Sequence, residues 1–183
     1  MVQDKLLLHM CCGPCTIYPL KALREEGYDV HGYFFNPNIH PYQEYQRRLQ
    51  ALLDYAKIEE LPVEVSTDYL FREFLRSVAG NEDDRCKICY TMRLSAVAKK
   101  ARSEGYDGFS STLLVSPFQQ HEIIREIGEK ISAEYAVPFI YRDLRPGYKS
   151  AVGRAKQLQL YRQPYCGCIY SEFDRFGKED YNG

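Results

Sequence analysis

The chain contains 183 residues, of which 45% are hydrophobic, and it carries a formal net charge of −1. This length predicts one domain over residues 1–183 with room for a buried core. The near-neutral charge gives no general indication of nucleic-acid binding. No apolar run approaches the roughly 20 residues of a membrane span, and the N-terminus lacks the pattern of a secretory signal. We therefore expect a cytoplasmic protein whose thiols are reduced.

Strand-like and helix-like patterns alternate along the chain. Apolar runs predict five strands, at 5–9, 28–35, 62–66, 107–114 and 138–141. Helical periodicity predicts helices at 16–26, 42–58, 68–78 (with Asp68 as its cap) and 86–103, one that opens at Ser116, and a basic helix at 150–160. Residues 160–183 are expected to form an irregular tail. This alternation predicts a three-layer α/β fold, a parallel sheet with helices on both faces.

Seven cysteines occur in three short segments that are far apart in the sequence. They are Cys11, Cys12 and Cys15; Cys86 and Cys89; and Cys166 and Cys168. In a reducing compartment, closely spaced cysteines indicate metal ligands or redox catalysts rather than structural disulfides. The grouping therefore indicates a metal centre assembled from distant parts of the chain.

The predicted topology brings the first two cysteine segments to one edge of the sheet. Ligands of open parallel sheets bind beyond the carboxyl ends of the strands, where the strand order reverses. The turn after the first strand carries Cys11 and Cys12. The helix that starts near Cys86 begins at the same edge, because it must run down to the next strand. The turn contains no glycine-rich nucleotide motif, so a nucleotide cofactor is not indicated.

The spacing of four cysteines suits an iron–sulfur cluster. Such clusters are usually held by four thiolates, often with one pair separated by two residues, and Cys86 and Cys89 form such a pair. Cys11 and Cys12 would supply the other two ligands. Structural zinc held by four thiolates is the alternative. Adjacent ligands fit several irons better than one small ion, which favours the cluster without excluding zinc.

The third segment has a different spacing. A single glycine separates Cys166 from Cys168, which would let the two sulfurs bond. Such a disulfide is strained, and strained disulfides are the labile and catalytic kind, so we predict a redox-active pair; a second metal-ligand pair is the alternative. Cys15 is left over. Its place at a helix N-terminus predicts a lowered pKa, and with Asp143 it is a candidate ligand of a second metal ion.

Two other classes of protein fit parts of the pattern. Cys12-Gly13-Pro14-Cys15, between a strand and a helix, matches a thioredoxin-type thiol oxidoreductase, but the other paired cysteines would then have no role. A zinc-stabilised RNA-binding module is the second alternative. Between Arg142 and Arg162, six basic residues accompany one acidic residue, a balance that suits a phosphate backbone or an ordinary solvated helix face.

Five segments of the chain are similar to a known family, in the same order. They are 8–15 (LHMCCGPC), 35–41 (FNPNIHP), 85–94 (RCKICYTMRL), 111–117 (STLLVSP) and 161–171 (YRQPYCGCIYS). With these segments the chain resembles the cobalamin-independent epoxyqueuosine reductases, nearly from end to end. The fold of that family resembles that of the adenine-nucleotide alpha-hydrolases, a HUP-like fold, which agrees with the predicted sheet.

The resemblance implies an enzyme of queuosine biosynthesis that reduces the epoxide of epoxyqueuosine in a tRNA anticodon loop. It implies a [4Fe-4S] cluster on Cys11, Cys12, Cys86 and Cys89, and a redox-active pair at Cys166 and Cys168. An external electron donor of the ferredoxin or flavodoxin kind is expected, and Asp143 is a candidate proton donor. Unpaired RNA is bound by aromatic stacking and basic side chains. The candidates for this role are Tyr148, Lys149, Arg154, Tyr161 and Arg162.

Overall fold

A four-stranded parallel sheet carries the site, and the computed structural model describes residues 3–177 of the chain. The strands are β1 (Lys5–His9), β2 (Asp29–Phe34), β3 (Val63–Val65) and β4 (Gly108–Ser111). Their order in the sheet is β3-β2-β1-β4. β1 therefore lies between β2 and β4, and the strand order reverses at its carboxyl end.

Helices cover both faces of this sheet, so the predicted three-layer α/β class is confirmed. They are α1 (Gly13–Glu25), α2 (Tyr42–Ile58), α3 (Phe71–Val78), α4 (Arg85–Glu104), α5 (His121–Tyr135), α6 (Tyr148–Gln157) and α7 (Ile169–Phe176). Short 3₁₀ turns occupy Glu82–Asp84, Thr112–Val115 and Arg145–Gly147. Within residues 3–177, no helix combines the length and the apolar character needed to cross a bilayer.

The core has two halves because successive side chains of a strand point to opposite faces of the sheet. Leu6 and Leu8 of β1 pack with α1, α2 and α6 on one face. Leu7 packs with α4 and α5 on the other face. All three leucines are almost completely buried, and burial of each contributes roughly 1.5–3 kcal/mol. This central strand holds the turn that follows it in a fixed position.

The predicted fifth strand at 138–141 is wrong. Only one bridge forms, between Phe109 and Phe139. The Phe109 N–H donates to the Pro138 carbonyl, and the Ile140 N–H donates to the Phe109 carbonyl. Pro138 has no N–H with which to extend the ladder, and the segment leaves the edge of β4 after this pair. β4 itself is shorter than predicted, because a 3₁₀ turn begins after Ser111, whose hydroxyl accepts from the Leu113 N–H.

Other boundaries also differ from the prediction. The tail expected to be irregular contains α7, whose first residue follows Cys168, and the Cys168 sulfur accepts from the Ser171 N–H at 3.4 Å. Cysteine is an unusual helix cap, which explains why the sequence did not signal this start. Asp68 does not cap α3, because Leu70 occupies that position. α1 starts at Gly13, since Pro14 is compatible with a first helical turn.

Gly13 is required where α1 begins beside α2. A Cβ atom at this position would lie 2.3 Å from the Ala51 carbonyl oxygen. That oxygen belongs to the backbone of α2 and cannot rotate away. The absence of a side chain thus lets α1 start directly after the cysteine turn.

Replacing Gly13 with alanine should lower the free energy of unfolding by about 1–3 kcal/mol, because the new methyl group forces α1 away from α2. Gly153→Ala in α6 is the matched control, since a Cβ there meets no atom within 4 Å. It should raise stability by about 0.5–1 kcal/mol through helix propensity. Chemical denaturation followed by circular dichroism measures both values; equal effects would contradict the role of the close approach.

Candidate active site

Three thiols lie together at the carboxyl end of β1. Cys11 and Cys12 follow this strand directly, and Cys15 lies in the first turn of α1. The sulfurs of the three cysteines are all within 4.8 Å of one another. Those of Cys11 and Cys12 are 3.8 Å apart. Cys11 and Cys12 are buried and Cys15 is half-buried, so this set of soft donors could hold a metal ion.

The three thiols differ in their electrostatic surroundings. Hydrogen bonds from Cys12 and Cys15 lower the pKa of Cys11 well below its usual range, and Arg93 and Thr112 act in the same direction. Burial raises the pKa of Cys12. The pKa of Cys15 is raised through its hydrogen bonds to Cys11 and Cys12, opposite to the lowered value predicted from its place near a helix N-terminus. These surroundings favour the thiolate form more at Cys11 than at Cys12 or Cys15.

A second wall of the site comes from the first turns of α4, which carry Cys86 and Cys89. The Arg93 Nη1 lies 3.6 Å from the Cys89 sulfur. Its Nε donates to the His9 Nε2 at 3.2 Å, and its Nη2 donates to the Asn36 Oδ1 at 2.9 Å. Burial raises the pKa of Cys89 to about 12. Burial and the Arg93 charge lower the pKa of His9 to about 3, so this histidine is neutral, as expected for a buried residue with hydrogen-bond partners.

The C-terminal segment forms the third wall. Cys166 is exposed, Cys168 is buried, and both are free thiols in this structure. The Gln119 Nε2 donates to the Cys166 sulfur at 3.4 Å. The Gln163 Nε2 lies 3.1 Å from the Cys12 sulfur and 3.4 Å from the Cys15 sulfur. This segment thus contacts the cysteine turn directly, although the sequence pattern did not place it.

The three walls enclose one cavity of about 550 Å³. Its lining includes Cys11 and Cys15 from the first segment, Arg93 from α4, and Cys166 from the third segment. Cys89 is in contact with Arg93 and packs beside Cys168. The first and third cysteine segments therefore line one cavity, and the segment of Cys89 reaches it through Arg93. The cavity is open to solvent on one side and buried on the other, as ligand sites usually are.

A buried ion pair on α2 fixes the third wall. Arg48 and Glu44, both almost fully buried, are joined by a hydrogen bond of 2.7 Å from Nε to Oε1. Arg48 also donates to the carbonyl oxygens of Cys166 at 2.7 Å and Tyr165 at 3.0 Å. Gly167 follows with φ of +147°, a conformation that favours glycine. One guanidinium thus positions the segment that contains both late cysteines.

Comparison with known families agrees with this geometry. The family model described as epoxyqueuosine reductase QueH matches residues 6–174. The chain belongs to this family. Among curated QueH proteins, the one from Dehalococcoides mccartyi is 45% identical over 97% of both chains. The one from Thermotoga maritima is 35% identical and covers 93% of this chain and 91% of its own length.

Solved structures share the fold at low sequence identity. A U34-tRNA thiolase NcsA from Methanococcus maripaludis, solved with its [4Fe-4S] cluster, has a TM-score of 0.63, is 14% identical, and covers 93% of this chain and 62% of its own. A predicted subunit of a tRNA methyltransferase from Methanocaldococcus jannaschii has a TM-score of 0.53, is 15% identical, and covers 82% of this chain and 74% of its own. These likenesses confirm the HUP-like α/β fold.

An exposed pair of aromatic residues lies at the mouth of the cavity, and the sequence predicted only one of the two as a functional residue. Phe118 is 81% exposed, and its ring meets that of Tyr148 edge to face, at 5.9 Å between centroids. Both residues line the cavity. Tyr148 was a predicted RNA contact, whereas Phe118 was missed. Its position directly after the Ser116-Pro117 turn was the available signal, because a phenylalanine in a polar loop has no core to fill.

The structure places the other predicted RNA-binding residues in three different locations. Lys149 and Arg162 line a shallow groove beside Cys15. Arg154 lies in a different groove, between α1 and α6. The Tyr161 hydroxyl donates to Glu44, so it supports the buried ion pair.

Asp143 lies on the surface and is held in an ion pair with Arg145. The hydrogen bond from Arg145 lowers the pKa of Asp143 to about 2. The carboxyl group is therefore ionised at neutral pH, which is the wrong state for a proton donor. Its only strong side-chain partner in residues 3–177 is Arg145, so the structure gives no support to a metal site shared with Cys15.

Replacing Arg48 with methionine should lower the free energy of unfolding by about 3–5 kcal/mol, because Glu44 would remain buried without its partner. The third wall should also detach, so alkylation of Cys168, followed by mass spectrometry, should become faster. Arg102→Met is the control, since Arg102 is an exposed arginine of α4, and its replacement should change the free energy of unfolding by no more than about 0.5 kcal/mol. An unaltered rate of Cys168 alkylation in Arg48→Met would contradict the anchoring role.

Proposed function

We propose that this chain reduces the epoxide of epoxyqueuosine in a tRNA, and that the reaction takes place in the cavity where the three cysteine segments meet. The observation that carries the proposal is one solvent-connected cavity lined by Cys11 and Cys15 of the first segment, by Cys166 of the third segment, and by Arg93 of α4, which contacts Cys89. Membership of the QueH family supplies the substrate class. A free nucleoside would not require the exposed aromatic and basic groups around the cavity mouth.

A [4Fe-4S] cluster fits the donor set of this cavity. The proposed ligands are Cys11, Cys12, Cys86 and Cys89. The thiols are soft donors and are shielded from water on the sheet side. The positive charge of Arg93 interacts with both Cys89 and Cys11. When bound, such a cluster supplies single electrons and a Lewis-acidic iron. Cys15, which the structure groups with Cys11 and Cys12, is the competing fourth ligand.

The Cys166 and Cys168 dithiol can supply the electrons and protons that the reaction consumes. Conversion of an epoxide to an alkene breaks both C–O bonds and releases the oxygen as water, which consumes two electrons and two protons. Oxidation of a dithiol to a disulfide releases the same number of each. An external one-electron donor of the ferredoxin or flavodoxin kind would then restore the dithiol. The exposure of Cys166 toward the cavity supports this role.

The thioredoxin-type alternative is not supported by the site. An attacking thiol needs exposure and a lowered pKa. Cys12, the first cysteine of the motif, is fully buried, and burial raises its pKa. The motif Cys12-Gly13-Pro14-Cys15 instead begins a helix beside a metal-binding pocket.

Anaerobically purified protein should contain iron and acid-labile sulfide, and with a strong reductant it should convert epoxyqueuosine in tRNA to queuosine. Serine variants of the four proposed ligands should lose most of the iron and the activity. Cys15→Ser is the control and should retain the iron. Iron and sulfide analysis, together with mass spectrometry of digested tRNA, measures these outcomes.

Each alternative has its own result in this experiment. Zinc without iron would contradict the proposal. Iron that is lost in Cys15→Ser but kept in Cys86→Ser would replace the proposed ligand set with the compact group of Cys11, Cys12 and Cys15. Cys166→Ser should keep the iron and lose turnover; full activity of this variant would remove the dithiol from the reaction.

The aromatic pair at the cavity mouth is suited to hold an unpaired base of the anticodon loop. Bases stack on exposed aromatic rings, and nearby lysine and arginine side chains bind phosphates. Phe118 and Tyr148 provide such a surface, and Lys149 and Arg162 lie in the adjoining groove. We therefore place the tRNA loop across the mouth, with its modified base directed into the cavity.

Phe118→Ala should weaken binding of an anticodon stem-loop by about 1–3 kcal/mol, roughly 5- to 150-fold in Kd, because one stacking surface is removed. Phe71→Ala is the matched control, since this exposed phenylalanine belongs to α3 and is outside the cavity lining. Fluorescence anisotropy with a labelled stem-loop measures both variants. Equal affinities of Phe118→Ala and the parent protein would exclude the stacking role.

A further inference from the structure

Arg93 is a buried cation that has no carboxylate partner among residues 3–177. The side chain is 2% exposed, and its hydrogen-bond partners are the ring nitrogen of His9, the amide oxygen of Asn36 and the sulfur of Cys89. None of the ion pairs formed by residues 3–177 includes Arg93.

This arrangement is unusual because burial of an unpaired charge is costly. Guanidinium groups stay protonated in proteins, so Arg93 cannot escape the cost by losing its proton. A buried charge is normally retained only with an opposite charge beside it. The burial of Arg93 is therefore offset by negative charge on the neighbouring sulfurs, and the Cys89 sulfur lies in contact with its guanidinium.

Arg48 provides the contrast within the same cavity. It is as deeply buried as Arg93, but Glu44 neutralises it at 2.7 Å. The chain thus supplies a carboxylate to the arginine that anchors the C-terminal segment. Within the described residues 3–177, no carboxylate pairs with the arginine that lies against Cys89. This difference indicates that the negative partner of Arg93 is not a carboxylate of the described residues. We infer that it is a negative group held by the thiolates.

We propose that Arg93 is the fixed counter-charge of the thiolate-bound iron–sulfur cluster and that it raises the reduction potential of that cluster. This inference rests on the proposed function. Net charge and hydrogen bonds to the ligating sulfurs set the potential of such clusters. A cation beside the Cys89 sulfur stabilises the reduced, more negative state more than the oxidised state. Arg93 thereby makes the cluster easier for an external donor to reduce.

Arg93→Met should shift the cluster midpoint potential to a more negative value and speed loss of iron to a chelator. Arg93→Lys keeps the charge without the planar fork, so it should show a smaller shift. Asn36→Asp should also shift the potential downward, because it places a carboxylate where the Arg93 Nη2 now donates at 2.9 Å. Redox titration followed by electron paramagnetic resonance measures all three variants anaerobically.

Thermal unfolding separates this role from a purely structural one. In cluster-free protein, Arg93→Met should change the Tm little, since removal of a buried charge offsets the hydrogen bonds that His9 and Asn36 lose. In cluster-loaded protein the same change should lower the Tm. Arg48→Met should lower the Tm in both forms, because it strands Glu44. A loss of Tm in cluster-free Arg93→Met equal to that in the loaded form would overturn the proposal.

The results also distinguish the inference from the function on which it rests. If the parent protein contains no iron and sulfide, the proposed function itself fails. If the parent contains a cluster whose potential is the same in Arg93→Met, Arg93→Lys and Asn36→Asp, only the role of Arg93 fails. A downward shift in Arg93→Met and Asn36→Asp, with a smaller one in Arg93→Lys, supports the fixed counter-charge.

Discussion

The Arg48 guanidinium joins two parts of the chain that are more than a hundred residues apart, and the site depends on this junction. The segment around Cys166 forms no strand that could pair with the sheet. Instead, two of its carbonyl oxygens accept from Arg48, which Glu44 holds in place. A flexible lysine would not provide the fork that reaches both carbonyls and the carboxylate together. The Tyr161 hydroxyl, also bonded to Glu44, closes the same network.

Burial influences the protonation of the thiols around the cavity. Cys89 and Cys12 are protected from water on the sheet side, and burial favours their neutral forms. A metal must therefore overcome this cost when it binds thiolates. Arg93 and the hydrogen bonds around Cys11 act in the opposite direction and favour negative charge. The site is consequently suited to a cofactor that carries a net negative charge over several thiolates, and less suited to a single reactive thiol.

Many of the strands and helices were predictable because they depend on local sequence patterns. β1, α2 and α4 follow from apolar periodicity, and the boundaries of α2 agree with the prediction at both ends. The position of Cys11 and Cys12 then follows from the rule for parallel sheets. The positions of Tyr165 and Cys166 do not follow, because they depend on tertiary hydrogen bonds from Arg48 that no local pattern encodes. Asp143 was a plausible acid by position, but its pairing with Arg145 is a contact made only in the folded chain.

The HUP-like fold explains why thiols at this corner can replace a nucleotide-binding loop. At the carboxyl end of β1 the strand order reverses, and α1 begins with its N-terminus directed toward the same space. Helix N-termini stabilise negative charge, whether a phosphate or a thiolate carries it. Gly13 lets the helix start directly beside α2, so three sulfurs fit where a phosphate-binding turn would otherwise lie. The fold thus favours an anion at this position, and the cysteines make this anion a thiolate within a group that could hold a metal ion.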